Sequence, residues 1–274
     1  IMGPTTKTPG KSVAGPAITL QFLPKREDIY NEDEYSDPEL QLHRHALYQT
    51  EPGDIVVVDA MGDMTSGVFG EMMLTFFQGR GGAGVVIDGC IRDYVHAQDL
   101  EIGMWLKGVT PNFHTQTNKY PHAVNVPISC GGTLVMPGDI IVADDDGAVV
   151  VPQTMAEELV DAAGAHSDWE VWVRQKLASG GHLKDYYGRT AWSKETDDEY
   201  KKWCKENKIA LIEDSAHSLT SSYNEQKCGS LGDISIISFT PHKIITMGQG
   251  GMILTDNEAF YKKIIELKTF NRSK

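Results

Sequence analysis

The 274-residue chain is long enough for one large domain or two small ones, and its 41% hydrophobic and 23% charged residues are ordinary globular values. No apolar run approaches the roughly 20 residues of a membrane span, and no basic segment followed by an apolar stretch opens the chain, so a soluble, cytoplasmic protein without a membrane partner is expected. The net charge of −13 falls wholly in the first 205 residues, which hold 17 basic and 30 acidic groups against eight of each from Glu206 onward; so acidic a surface repels phosphate backbones and argues against direct nucleic-acid binding.

Val13 to Leu23, VAGPAITLQFL, has the β-branched and aromatic content of a strand, and the acidic run from Arg26 to Glu39 reads as an exposed loop. A Pro-Gly-Asp turn precedes a buried strand at Ile55 to Val58. Phe69 to Gln78 is helix-compatible, and GRGGAG leads into a second short buried strand, VVIDG. Short β segments follow in MWLKGV, VNVPIS and TLVMPGDIIVADDDGAVVVP, with Asp144, Asp145 and Asp146 forming a solvated turn. Thr154, with Glu157 three residues on, has the pattern of a capping box opening a helix that runs to about Ala178 before Gly180-Gly181. Lys194 to Asn207 is polar and helical, and a new strand begins after Lys208. Cys90, Cys130, Cys204 and Cys228 are widely spaced and read as free thiols, and the histidines His43, His45, His96, His114 and His122 show no metal-ligand spacing and receive no catalytic role.

One constellation stands out in GEMMLTFFQGRGGAGVVIDGCIRD: Glu71 opens a helix, and twenty residues, 72 to 91, separate it from an Arg92-Asp93 pair just beyond a strand. A carboxylate with few protein partners suits a magnesium-type ion that keeps several waters, and an adjacent guanidinium offers a fork for a substrate carboxylate. The helix after Gly70 adds amide donors and the positive end of its dipole. From spacing alone Asp88-Gly89 and Arg92-Asp93 also read as a turn with a surface ion pair.

This stretch, with VAGPAITLQFLPKRED before it and PISCGGTLVMPGDIIVADDDGAVVVP after it, resembles the family of 4-hydroxy-4-methyl-2-oxoglutarate aldolases and RraA regulators of ribonuclease activity, over roughly Val13 to Trp203. The resemblance implies an α/β swivelling-type β/β/α layered domain assembled as a homotrimer. It implies that Asp93 anchors a divalent metal, Mg2+ or Mn2+, through its water shell, that Arg92 binds the small 2-keto acid, and that Glu71 takes an acid position where many members carry Asp. The amides of Met72 and Met73 fall where the family holds the substrate carboxylate. The implied reaction is metal-dependent cleavage of 4-hydroxy-4-methyl-2-oxoglutarate to pyruvate, or decarboxylation of oxaloacetate. The rival implication is a non-enzymatic regulator that binds ribonuclease E.

Behind it, a strand-loop-strand-loop-strand pattern places Asp214 at one strand end and Ser238 and Lys243 after another, which suits pyridoxal phosphate. IEDSAHS, SFTPHK and GQGG resemble the DegT/StrS sugar aminotransferases. That resemblance gives Asp214 the pyridine nitrogen, His217 a place beside the ring, Ser238 the phosphate and Lys243 the Schiff base. Only about 70 residues of that far longer enzyme match, so the expected organisation is an N-terminally truncated lyase domain, residues 1–203, fused to a partial aminotransferase-like segment, residues 204–274, that is not expected to bind the cofactor.

Overall fold

The computed structural model describes residues 1–26, 28–30, 36–115, 118–188 and 192–268, with the backbone alone at 161–168. Much of the acidic run at 26–39, expected as an exposed loop, lies outside the described residues. Contact density divides the chain into Ile1–Asp161 and Ala162–Lys274.

The first unit runs β1 (Thr5–Thr6), β2 (Val13–Pro24), α1 (Leu42–Tyr48), β3 (Ile55–Gly67), α2 (Glu71–Gly79), β4 (Gly84–Ile91), α3 (Tyr94–Ala97), β5 (Gly103–Val109), β6 (Lys119–Val124), β7 (Ile128–Cys130), β8 (Thr133–Val135), β9 (Ile140–Asp144) and β10 (Gly147–Val151). The main sheet has the order β1-β5-β4-β3-β2-β9-β10, with β6 also on β2. Its centre, β2-β3-β4-β5, is parallel, whereas β1, β6 and β9 join antiparallel.

Period-two alternation divides the apolar run of β3 between two cores. Val56 and Val58 pack with Val85, Ile87 and Leu106 under Leu47, Leu74 and Phe77 of the helices. Ile55 and Val57 face the other way, with Val86 and Trp105, against Ile128, Val135, Ile141 and Ala148 of the hairpins. Covered on both faces, the strand reads as an unbroken hydrophobic run. Its register shifts against β4 between Val58 and Asp63 and again before Gly67, so β3 extends well beyond the expected Val58 and bends towards α2.

Other expectations change in detail. Asp88 and Gly89 lie within β4 and form no turn. Thr154 sits inside a 3-10 turn, Gln153–Met155, so the helix (α4, Ala156–Ala178) begins after it and the expected capping box is not the start. VNVPIS is divided between β6 and β7. The Asp144–Asp146 turn is exposed as expected, with Asp145 accepting from the Gly10 N–H at 2.8 Å. All four cysteines are free.

The second unit contains α5 (Leu183–Tyr186), α6 (Lys194–Glu206), β11 (Ile212–Asp214), β12 (Ser222–Tyr223), β13 (Gln226–Lys227), β14 (Ile234–Ser238), β15 (Gly251–Leu254) and α7 (Glu258–Lys268). Trp172, Trp192, Tyr200 and Cys204 form its aromatic core, and the Trp192 indole donates to the Tyr186 carbonyl at 2.7 Å. Its sheet is β11-β14-β15; β14 is parallel to β11 but antiparallel to β15, so these strands do not continue as a parallel array. Among the described residues, no helix is long and apolar enough to cross a membrane.

Candidate functional site

Gly67 of β3 pairs with Cys90 of β4, so the turn into α2 and the Arg92-Asp93 step into α3 emerge together at the carboxyl ends of neighbouring parallel strands. Open α/β sheets hold ligands at such ends. Backbone bonds lock the two segments: the Val68 N–H donates to the Cys90 carbonyl and the Arg92 N–H to the Phe69 carbonyl, each at 2.9 Å.

The Arg92 guanidinium donates from Nη1 to the Gly67 carbonyl at 3.1 Å, and its Nε lies 3.6 Å from Asp93 Oδ2. These contacts involve two of its five N–H groups. Burial draws the guanidinium below its ordinary value; Asp93 opposes that shift and Arg44 reinforces it. Asp93 adopts a left-handed conformation (φ 60°, ψ 29°) and makes no capping bond to α3, and its side chain is 53% exposed. Among the described residues, its carboxylate has the Arg92 guanidinium beside it.

Gly70 is the pivot of the site. Its backbone (φ −109°, ψ 173°) is one that any residue adopts, but a Cβ there would lie 2.6 Å from Asp93 Oδ2 and 2.8 Å from Arg92 Nε. Gly70→Ala is thus expected to fold, yet to displace both side chains and lower kcat/KM for any reaction carried by this pair by about 10²-fold, the scale of a 1 Å misplacement. A steady-state comparison beside a thermal melt checks this; an unchanged kcat/KM would remove the contact from consideration.

Glu71 begins α2, and its carboxylate accepts the Thr75 hydroxyl at 2.9 Å. Met72 is exposed, whereas Met73 packs on the helix-side core. The Met73 and Leu74 amides both donate to the Gly70 carbonyl at 3.1 Å, while those of Glu71 and Met72 donate to no group among the described residues. Of the two amides expected to receive a carboxylate, Met72's is open and Met73's is engaged.

Two further groups escaped the reading of the sequence. His43 and His114 are buried with ring centroids 3.8 Å apart, and His43 stacks on Phe69 at 6.3 Å. Their distance in sequence hid them. Asp59, Asp88 and Lys107 directly follow Val58, Ile87 and Leu106, the matched positions at which the register of β4 begins to shift against β3 and β5, and the three charged groups lie near one another. Lys107 Nζ is 2.5 Å from Asp88 Oδ1, and burial raises the Asp59 carboxyl, with Asp88 adding to the effect. No cluster of three or more His, Cys, Asp or Glu suited to a metal occurs among the described residues.

In the second unit, Lys243 Nζ donates to His217 Nε2 at 2.5 Å. Asp214 Oδ1 accepts from the Ala216 N–H at 3.0 Å, and the Ser238 hydroxyl contacts that of Thr240 at 3.2 Å. Asp214 and His217 are exposed, and Ser238 and Lys243 are partly so.

A layered sheet whose strand ends present Arg-Asp beside a helix N-terminus defines an α/β domain. Residues 2–150 match the RraA-like family, Aldolase/RraA, and the chain belongs to that family. Residues 186–274 match the DegT/DnrJ/EryC1/StrS aminotransferase family. A Halalkalibacterium halodurans protein provisionally named 4-hydroxy-4-methyl-2-oxoglutarate aldolase is 39% identical over 118 residues, 43% of this chain and 55% of that protein. The chain spans about half the length of the first curated relatives it matches. Among solved structures, Streptomyces coelicolor RraAS2, described as an unusual member of the RNase ES inhibitor RraA family, is 43% identical with a TM-score of 0.57, covering 63% of this chain and 81% of that one. An uncharacterized Pseudomonas syringae protein is 27% identical with a TM-score of 0.57, covering 66% and 78%.

Proposed function

We propose that the Aldolase/RraA part is a divalent-metal-dependent lyase that cleaves or decarboxylates small 2-keto acids, 4-hydroxy-4-methyl-2-oxoglutarate or oxaloacetate to pyruvate, working in the cytoplasm as a homotrimer. The observation that carries this reading is the Arg92-Asp93 pair pressed against Gly70 at the start of α2.

The donor set fits magnesium or manganese. Asp93 is half-exposed and not used as a cap, and the absence of a three-ligand cluster among the described residues suits an ion that keeps several waters rather than zinc, which takes three or four protein ligands. When bound at Asp93, such an ion supplies stabilisation of the negative charge that develops on the keto oxygen. Arg92 grips the substrate by its fork and draws charge towards the oxygen of the departing carbon. The open Met72 amide and the α2 dipole receive the carboxylate. Glu71 orients water and moves a proton at its carboxylate, which Thr75 holds in place.

Pyruvate release from oxaloacetate, measured with and without magnesium, tests the reading. The full chain is expected to exceed the metal-only background and to lose that excess with EDTA or in Asp93→Asn; an excess indifferent to both would overturn it.

The 43% identity to RraAS2 supports a second reading, a regulator that binds ribonuclease E. Capture of ribonuclease E by a chain with no turnover would favour it.

Pyridoxal phosphate fits the second unit poorly. A ring and phosphate must be gripped before an amine can engage them, and here Asp214 is exposed while Lys243 is taken up by His217. Adding the cofactor is expected to produce no visible absorbance band that depends on Lys243; a stable band lost in Lys243→Ala would contradict this.

A further inference from the structure

We propose that His43 and His114 are positioning residues for Arg92, a close, tilted pair of rings that holds the Gly67–Gly70 turn in place and releases it when His43 takes a proton. The inference rests on the lyase reading for its consequence in catalysis, but its structural part stands alone.

The geometry is a column of rings drawn from three separate segments. His43 comes from α1, His114 from the loop after β5, and Phe69 from the turn before α2. His43 lies between the other two, with centroids 3.8 Å from His114 and 6.3 Å from Phe69. The Phe69 carbonyl receives the Arg92 N–H, the Gly67 carbonyl receives the Arg92 Nη1–H, and at Gly67 and Gly70, which flank the turn, a Cβ would run into the Arg92 side chain. The loop is tied to the same turn, because the Asn112 carbonyl accepts the Gly67 N–H at 3.2 Å and the Asn112 amide donates to the Thr65 carbonyl at 2.8 Å. The column therefore fixes the walls against which the guanidinium rests.

Two imidazoles at this spacing cannot both be charged without strong repulsion, and a single proton would place a cation in a buried site. The groups that bear on His43 are His114, Arg92 from the end of β4, and Arg44 and His45 on α1; all oppose its protonation, as burial does more strongly still. The other elements packed on α1 bring Glu39 on the 3-10 turn Pro38–Leu40, Glu71 on α2, and Lys119 and His122 on β6. Among the described residues His43 Nδ1 has no hydrogen-bond partner, so none of them supplies an acceptor that rewards a proton there. Because its folded value is lowered, the column's contribution is complete above the ordinary histidine value of about 6.5 and is lost as pH falls below it.

The test is hydrogen exchange in the full chain, corrected for intrinsic rates, at pH of about 7.5 and about 5.5. In the wild type, protection of segments 65–75 and 110–115 is expected to fall at least about tenfold more than that of β4 and β5 on acidification. His43→Phe, which keeps a ring and removes the proton site, should abolish that difference; the same pH dependence in both proteins would overturn the proposal. Should His43→Phe lose protection throughout at the higher pH, His43→Gln is compared in the same way. If turnover of oxaloacetate is present, its acid limb should flatten in His43→Phe while the rate at the higher pH is largely retained. An unchanged acid limb would refute the catalytic consequence, whereas absence of turnover with pH-dependent exchange would remove the lyase reading and leave the positioning role standing.

Discussion

Arg92→Ala is expected to lower kcat/KM for oxaloacetate by about 10²- to 10³-fold, the scale found when one donor to a developing negative charge is removed. The size follows from the environment of the side chain. Arg92 is about three-quarters buried, so water replaces little of what its fork supplies, and among the described residues its guanidinium's polar partners are the Gly67 carbonyl and the neighbouring Asp93. Arg92→Lys keeps the charge but loses the planar pair of donors, so an intermediate loss is expected, carried by both kcat and KM. Pyruvate release at saturating magnesium measures both variants. Rates equal to wild type, above the metal-only background, would show that Arg92 serves the fold and not the substrate.

Lys107→Met is expected to destabilise the first unit by about 3 kcal/mol. Breaking a buried ion pair by removing one partner costs roughly 3–5 kcal/mol, and the lower end applies because the Lys107 side chain keeps 29% of its exposure. The cost arises on Asp88, which is only 6% exposed and would be left beside Asp59. The double variant Asp88→Asn/Lys107→Met removes the stranded carboxylate and should recover more than half of the loss. Hydrogen exchange of β4 and β5 as a function of urea isolates this unit from the other; a change below about 1 kcal/mol would place the pair with ordinary surface ion pairs.

Local chemistry fixed much of what could be read in advance. The unbroken run Ile55–Val58 announced a strand covered on both faces, the Pro-Gly-Asp and Asp-Asp-Gly turns placed the hairpins, and Gly180-Gly181 ended α4, because side-chain alternation and turn geometry act over a few residues. The Arg92-Asp93 step after a buried strand was equally legible, since a charged pair at a strand end is a local pattern. Where β3 bends was not, because that depends on its register against β4. Nor was the grouping of Asp59, Asp88 and Lys107, which exists only when three strands lie side by side, or the His43–His114 ring contact, which joins α1 to a loop far along the chain.

The sequence by itself determined which residues carry charge, which segments become strands and helices, and that a carboxylate and a guanidinium stand next to each other beyond β4. Only the tertiary structure decided that position 70 leaves no room for a Cβ beside either of them, that the Met73 amide is already engaged while that of Met72 is open, and that Asp214 is exposed while Lys243 is engaged by His217. The reason is physical: composition and periodicity specify what each residue prefers to contact, but distance, burial and the sharing of hydrogen-bond donors are set by segments that meet only after the chain has folded.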